Sequence, residues 1–169
     1  MTLPSPPEAK GKTGPAIKIR RAGPGDIDSL TNLLKILFTI EADFTFNQSR
    51  QQAGLHLLLA NAACCVLVAV IDDHAVGDRV VGMCSGQLTM STAEGGPALL
   101  VEDVVVEEKW RHRGIGRRLL DRLARWAADQ GARRLQLLAD RNNTAALNFY
   151  NKLGWQPTQL ICLRKRPLP

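Results

Sequence analysis

Residues 109–120, KWRHRGIGRRLL, place two glycines and five lysine or arginine side chains at the point where a helix should begin. Gly114 and Gly116 are typical of a turn, and apolar residues recur afterwards at helical spacing, namely Leu119, Leu120, Leu123 and Trp126. A helix N-terminus carries partial positive charge, so each cation placed there costs on the order of 0.3–1 kcal/mol unless something offsets it. The stretch therefore predicts a loop and helix start that receive negative charge from a partner.

The excess positive charge of the chain is concentrated here. The chain has 22 lysines and arginines against 16 acids, a net charge of +6, and residues 109–125 hold seven of these cations but only one acid, Asp121. A nucleic-acid surface usually spreads its cations along a face and interleaves aromatic side chains, but only 5% of this chain is aromatic. The distribution favours a compact anion as the ligand, and we expect no nucleic-acid partner.

The remaining composition is that of one globular domain. The 169 residues are 45% hydrophobic and 22% charged, which is ordinary for a protein with a buried core. The longest apolar run, residues 62–71, is far shorter than the roughly 20 residues of a membrane-spanning helix. Residues 1–15 contain no apolar segment of the kind found in signal peptides. We therefore expect a disordered tail at residues 1–15, a domain at residues 16–169, a cytoplasmic location and no membrane partner.

The cysteines fit the same compartment. Cys64 and Cys65 are adjacent, Cys84 and Cys162 stand alone in apolar, strand-like surroundings, and no CxxC pair or neighbouring histidine suggests a metal site. We expect all four to be reduced thiols that pack in the structure, and no bound metal.

The hydrophobic periodicity predicts an α/β domain. Strands are predicted at residues 17–22, 66–71, 79–89, 98–107, 133–139 and 156–163, and helices at residues 24–37, 48–61 and 142–152, with a further helix after the basic loop. In chain order these are a strand, two helices, three strands, a helix, a strand, a helix and a last strand. This order predicts a single mixed domain of the α+β type, in which a mostly antiparallel central sheet is flanked by helices.

The predicted order gives the basic loop a context. A strand, a glycine-containing loop and an amphipathic helix place the backbone N–H groups of the loop and the first helical turn around a point where an anion can lie. An ordinary solvent-exposed basic helix face is the alternative interpretation.

Several segments together resemble one known family. RHRGIG resembles the R/Q-x-x-G-x-G/A signature of the GNAT superfamily of N-acetyltransferases. IRRAGPGDIDSL resembles the opening strand and helix of that family, and VEDVVVEEKW its central cofactor strand. NTAALNFYNKLGW resembles its closing N-x-x-A-x-x-x-Y-x-x-x-G-F motif, with Trp155 in place of the usual phenylalanine. The resemblance covers residues 17–164 and implies transfer of an acetyl group from acetyl-CoA to a primary amine.

The resemblance also implies a set of coenzyme-binding residues. In the family the backbone of the central strand binds the pantetheine arm, the loop surrounds the phosphates, and the later helix lines the arm. The implied residues here are Val104, Val105, Val106, Arg111, His112, Arg113, Gly114, Ile115, Gly116, Arg117, Arg118, Asn143 and Ala146. A valine run is equally typical of any buried strand, so the two interpretations of the valines stay open.

Acetyl transfer needs an acceptor amine without its extra proton. An alkylamine with a pKa of about 10.4 is mostly protonated at neutral pH, so a proton acceptor is required. Glu102 and Asp103 are the candidates, and we favour Glu102. Neighbouring strand residues point to opposite faces, so one carboxylate is expected to reach the acceptor unless a bulge reorients them. A hydrated charged pair at a strand end and a base formed by a water chain are the alternatives.

Tyr150, the only tyrosine, shares a helical face with Asn143 and Ala146. The resemblance implies that its hydroxyl meets the coenzyme sulfur and stabilises the departing thiolate, while packing in the core is the alternative. We identify no Cys/His or Ser/His nucleophile, so direct transfer in a ternary complex is expected.

The acceptor is not identified by the sequence. The resemblance places residues 36–50 beside the acceptor pocket, where Glu41 and Asp43 could attract a cationic amine and Phe44 could wall its apolar part; acids in a loop could equally face solvent. Small amines, polyamines, aminoglycosides, amino acids and protein amines all fit. A sensor or interaction module that binds acyl-CoA without turnover is the alternative function, and homodimer formation stays open.

Overall fold

In the computed structural model, which describes residues 15–40, 43–73 and 77–165, a mixed sheet is flanked by helices. The strands of these residues are β1 (Ile17–Arg21), β2 (Cys64–Asp73), β3 (Gly77–Ser91), β4 (Gly96–Val106) and β5 (Leu135–Leu137). The helices are α1 (Ile27–Phe38), α2 (Gln48–Ala60), α3 (Ile115–Asp129) and α4 (Thr144–Lys152). This arrangement confirms the predicted fold class.

The sheet order follows the chain order, β1-β2-β3-β4-β5. The first four strands are antiparallel neighbours, whereas β5 pairs parallel with β4 from Leu99↔Leu135 to Val101↔Leu137. A parallel neighbour requires a crossover connection, and α3 supplies it.

Both faces of the sheet are covered, so the central strands are continuous apolar runs. Along β2, Leu67 and Ile71 join the core cluster that contains α3, whereas Val66, Val68 and Val70 join the cluster beneath α1 and α2. The site described below lies where the polar residues of β3 and β4 interrupt the second of these clusters.

The strand predicted at residues 156–163 is absent from the described structure, so that prediction was wrong. A strand needs the backbone of a neighbour, and β5 is only three residues long, while Pro157 has no N–H to donate. Leu160 and Leu163 consequently stand 88% and 85% exposed. The alternation of apolar residues predicted a strand because it does not reveal whether a pairing edge is available.

Three of the four cysteines are buried in the sheet, and the fourth is exposed. Cys64, Cys65 and Cys84 are free, buried thiols, and burial raises the pKa of each of them, as is typical of inert packing cysteines. Cys162 is free but exposed, which corrects the prediction that it packs in a strand.

No helix within the described ranges is long and apolar enough to cross a membrane.

Candidate active site

The basic loop follows directly from the end of β4. After Val106 the chain makes one turn of 3₁₀ helix, Glu108–Trp110, and α3 begins at Ile115. The Arg79 guanidinium, on β3, donates to Glu107 with Nη2 2.7 Å from Oε1, which ties the base of the loop to the sheet. The first residue of the loop is therefore held against β3.

Two residues of the loop adopt left-handed backbone conformations, His112 with φ 61° and Gly114 with φ 75°. Gly114 is the N-cap of α3, no side chain caps this helix, and its first turn contains no acid. The first amides of a helix have no intrahelical acceptor, so an uncapped, acid-free first turn leaves them available to an anion. These features fit the phosphates of a coenzyme.

The loop arginines have local partners in the structure. Arg111 Nε donates to Val106 O at 3.0 Å, and Arg113 lies over the Trp110 ring with its Cζ 4.6 Å from the ring centre. Trp110 Nε1 is buried and has no hydrogen-bond partner in the part of the chain that the structure describes. Farther into α3, Arg118 Nη2 donates to Ile17 O at 2.7 Å, and Arg117 is 3.8 Å from Asp121. These contacts hold the loop and α3 in place and keep strong positive charge around the open helix start.

The second glycine of the motif has a different role from the first. A Cβ atom at Gly116 would lie 3.0 Å from Cζ of Phe149, whereas a Cβ atom at Gly114 would meet nothing within 4 Å. Gly114 is therefore needed for its backbone conformation and Gly116 for the close packing of α4 against α3. This packing positions Tyr150, the residue after Phe149.

Substituting Gly116 tests that packing. We expect Gly116→Val to lower the free energy of unfolding by about 1–3 kcal/mol, because the added methyl groups overlap the Phe149 ring. Gly54→Val is the matched control, since Gly54 also lies in a helix but has open space around it. Urea unfolding of both variants measures the difference. Equal stability would contradict the packing role, and Phe149→Leu should restore part of the loss in Gly116→Val.

The α4 residues of the predicted site have structural contacts. Asn143 is the N-cap of α4, and its Oδ1 accepts from Ala146 N at 3.0 Å. The Tyr150 ring is partly buried, lies 5.3 Å from the Phe149 ring and meets Trp155 edge-on at 6.0 Å. Packing of Tyr150 therefore involves Phe149 and Trp155, and a role for its hydroxyl stays a prediction.

A bulge in β4 brings both candidate carboxylates to one face of the sheet. Met83 pairs with Val105 and Ser85 with Glu102, so Asp103 and Val104 together oppose the single residue Cys84. Within this bulge it is Asp103 that has a left-handed backbone conformation, with φ 51°. As a result Asp103 Oδ2 accepts from Ser85 Oγ at 2.8 Å, and Glu102 Oε2 accepts from Gln87 Nε2 at 2.7 Å. Ser85 and Gln87 are two apart on β3 and therefore share a face.

The two carboxylates differ in their surroundings. Glu102 is exposed, whereas Asp103 is half-buried and lies beside the fully buried Ser85. Burial raises the pKa of Asp103 to about 6, the neighbouring Glu102 adds to the increase, and the hydrogen bond from Ser85 opposes it. A carboxylate with a pKa near 6 is mostly ionised at pH 7 and is a better proton acceptor than an ordinary aspartate.

The valine segment lies beyond the point where β4 and β5 separate. Their pairing ends at Val101↔Leu137, and within the described residues no strand pairs with this edge of β4 after that point. Val104 and Val106 pack towards α3, and Val105 is buried on the other face. The binding of an extended ligand by the main chain of this segment stays a prediction.

The predicted acceptor-side residues are only partly described. Glu41 lies outside the described residues, Asp43 is exposed, and Phe44 stacks on Phe38 with ring centres 5.5 Å apart. The C-terminal segment, which the sequence did not connect with this loop, places Arg164 Cζ 4.6 Å from the centre of the Phe44 ring. A shallow groove borders the Gln87–Glu102 pair, lined by Gly54, Leu57, Leu58, Asn61, Cys64 and Gln87.

Among the described residues, no group of three or more histidine, cysteine or acidic side chains could hold a metal ion.

The family model described as "Acetyltransferase (GNAT) family" matches residues 28–155, which include the loop, both carboxylates and Tyr150. The chain belongs to this family.

Several known acetyltransferases resemble part of the chain in sequence or most of it in fold. An uncharacterized N-acetyltransferase YobR of Bacillus subtilis (strain 168) is 35% identical over 69 residues, which are 41% of this chain and 27% of that protein. N-alpha-acetyltransferase 80 of Mus musculus is 42% identical over 74 residues, 42% of this chain and 22% of that protein. The chain thus spans about a quarter of the length of these relatives. Among solved structures, an aminoglycoside N-acetyltransferase AAC(6')-Iy in complex with CoA shares the fold with a TM-score of 0.78 and 18% identity, over 93% of this chain and 99% of that one.

Proposed function

We propose that this protein transfers the acetyl group of acetyl-CoA directly to a primary amine, with both substrates bound together. The observation that carries the proposal is the bulge of β4, which holds the half-buried carboxylate of Asp103 with a raised pKa on the strand that leads into an uncapped, arginine-rich helix start. Family membership and a fold neighbour that binds CoA support the choice of cosubstrate.

The chain contributes binding and proton removal. When bound, acetyl-CoA supplies the activated acetyl thioester. The open amides at Gly114 and Ile115 and the surrounding arginines would hold its phosphates. Asp103, in place of the Glu102 favoured from the sequence, takes the proton of the acceptor ammonium, because desolvation raises its proton affinity. Glu102, exposed and beside it, attracts the acceptor cation.

Tyr150 assists departure of the coenzyme thiol. A phenol near pKa 10 facing a thiol near about 8.5 is a weak proton donor, so hydrogen bonding to the developing thiolate is its main contribution. We expect Tyr150→Phe to lower kcat by roughly 10²-fold, while the acetyl-CoA Kd changes little. A free-thiol assay of CoA release measures kcat, and calorimetry on the same preparation measures the acetyl-CoA Kd. Tyr150→Leu also removes the ring packing on Phe149 and Trp155, so comparing it with Tyr150→Phe separates loss of the hydroxyl from loss of packing. A rate that Tyr150→Phe leaves unchanged at every pH would refute the role of the hydroxyl in thiol departure.

The acceptor is proposed to be a cation with an apolar part. Asp43 and Glu102 supply negative charge, and Phe44 offers an aromatic face to which the Arg164 guanidinium already binds. Small amines, polyamines, aminoglycosides, amino acids and protein amines all supply the cation, and they differ in the apolar part that they offer.

A panel of acceptors tests the proposed function. Release of CoA from acetyl-CoA is followed with a free-thiol reagent in the presence of polyamines, aminoglycosides, amino acids and peptides, and the acetylated product is confirmed by mass. Acceptor-dependent release that is lost in Asp103→Asn is the expected result. Tight calorimetric binding of acetyl-CoA without release by any acceptor would instead favour a sensor that binds acyl-CoA without turnover.

A further inference from the structure

Ser85 is an unusual residue for the centre of a buried strand. Its side chain is 0% exposed, its neighbours Met83 and Cys84 are equally buried, and it interrupts the apolar cluster on the α1 and α2 side of the sheet. A buried hydroxyl is costly unless it is hydrogen-bonded. Its partner here is a site carboxylate, Asp103, to which Oγ donates at 2.8 Å.

Ser85 donates its hydrogen bond to Asp103, a residue with a strained backbone conformation. Asp103 has φ 51°, a conformation that residues other than glycine adopt uncommonly, and aspartate is among those that tolerate it best. The bulge directs the Asp103 side chain towards Ser85, and Oδ2 is fixed by that hydroxyl. Oδ1 has no hydrogen-bond partner among the described residues, so one carboxylate oxygen is held while the other is available.

We propose that Ser85 is a positioning residue for proton removal, which holds the Asp103 carboxylate through Oδ2 so that Oδ1 receives the proton of the acceptor amine. This inference rests on the proposed function and adds to it a residue outside the family motifs. In the transfer step one N–H bond of the ammonium breaks, its proton moves to Asp103, and the neutral amine attacks the thioester carbon. The carbon–sulfur bond then breaks, and a second proton of the attacking nitrogen is transferred to the departing sulfur, so that the products are the amide and the CoA thiol. Ser85 keeps its own proton throughout.

The electrostatic surroundings of Asp103 come mainly from its own strand and from β3. Glu102 raises its pKa, the Ser85 hydroxyl lowers it, and the Cys84 thiol lies nearby. The charged or titratable side chains of the described parts of the two covering helices are all exposed; they are Asp28, Lys35, Arg50 and His56. Removing the Ser85 hydroxyl deletes the influence that favours the ionised carboxylate. The pKa of Asp103 should therefore increase further in Ser85→Ala.

The test compares Ser85→Ala with Ser85→Thr, which retains a hydroxyl, and with Thr89→Val, which removes a hydroxyl from an exposed position of the same strand. For Ser85→Ala we expect kcat/KM at pH 7 to fall roughly ten- to a hundredfold, the range for losing a hydrogen bond to a charged group. The acidic limb of the pH profile should move to higher pH, and the acetyl-CoA Kd should not change. Ser85→Thr should recover much of the rate, and Thr89→Val should resemble the unmodified protein.

Carbon-detected NMR titration of the Asp103 carboxyl, assigned with Asp103→Asn, measures the same change without turnover. An unchanged pH profile and carboxyl titration in Ser85→Ala, with only a lower Tm, would overturn the inference and leave a structural role. A profile that moves in Gln87→Leu but not in Ser85→Ala would assign the role to the Gln87–Glu102 pair instead. Absence of turnover by the unmodified protein with every acceptor would overturn the proposed function, and this inference with it.

Discussion

Gly114→Glu is expected to abolish measurable acetyl-CoA binding while the protein stays folded. The side chain enters at the N-cap of α3, where the amides of an uncapped helix start would face the phosphates. A carboxylate there competes for the same amides and repels the coenzyme. Because a helix N-terminus is stabilised by an acid, the new charge itself should not destabilise α3. Isothermal titration calorimetry with acetyl-CoA measures the loss.

A second glycine provides the matched control for this substitution. Gly131, after the end of α3, has φ 79° and, like Gly114, open space where a Cβ atom would lie. Gly131→Glu therefore incurs a similar backbone cost, about 1–2 kcal/mol for a left-handed residue, and the same change of charge. It should bind acetyl-CoA normally. Gly114→Ala, which keeps the strain without the charge, should be intermediate. Retained affinity in folded Gly114→Glu would refute the assignment of the loop to the phosphates.

The fold could be predicted from the sequence where local patterns decide it. The apolar residues of α1 and α3 recur at helical spacing, the inner strand β2 stands out as an apolar run, and the glycine loop marks the connection between β4 and α3. The strand at residues 156–163 could not be predicted correctly, because its existence depends on a pairing edge, and β5 ends after three residues. The role of Gly116 was likewise hidden, since the contact with Phe149 joins residues 33 apart.

The site was predictable to the level of residue type but not of geometry. The EDVVV segment marked both carboxylates, and alternation along a strand favoured only one of them reaching the acceptor. The bulge that places both on one face depends on register between β3 and β4, which no local pattern encodes. A serine within a buried strand was the available signal for Ser85, because buried hydroxyl groups need a partner.

Replacing Asp103 with asparagine should separate activity from stability. Asparagine tolerates the left-handed conformation of the bulge and can accept the hydrogen bond from Ser85, so the local structure is expected to persist. It cannot take up a proton. We expect kcat/KM to fall roughly 10²- to 10⁴-fold, the range for loss of a general base, with an unchanged acetyl-CoA Kd. The rise in activity through about pH 6, where Asp103 ionises, should disappear.

The stability of the same variant follows from the direction of the pKa shift. The folded pKa of Asp103 is raised above its unfolded value, so the folded state binds this proton more tightly and loses stability as the pH increases from 3.8 to about 6. Above that range the loss of stability is on the order of a few kcal/mol. Asp103→Asn lacks this ionisation, so urea unfolding at pH 7.5 should show it to be at least as stable as the unmodified protein, and the difference should vanish near pH 4.

Glu102→Gln is the control for this pair of results. Glu102 is exposed and its partner Gln87 can also bind an amide, so the substitution should affect KM for a cationic acceptor more than kcat. A large loss of kcat in Glu102→Gln together with normal activity in Asp103→Asn would reverse the assignment of the base. If Asp103→Asn were inactive and also less stable at pH 7.5, the carboxylate would be maintaining the bulge instead of accepting a proton, because a base whose pKa is raised by folding costs stability in its ionised form.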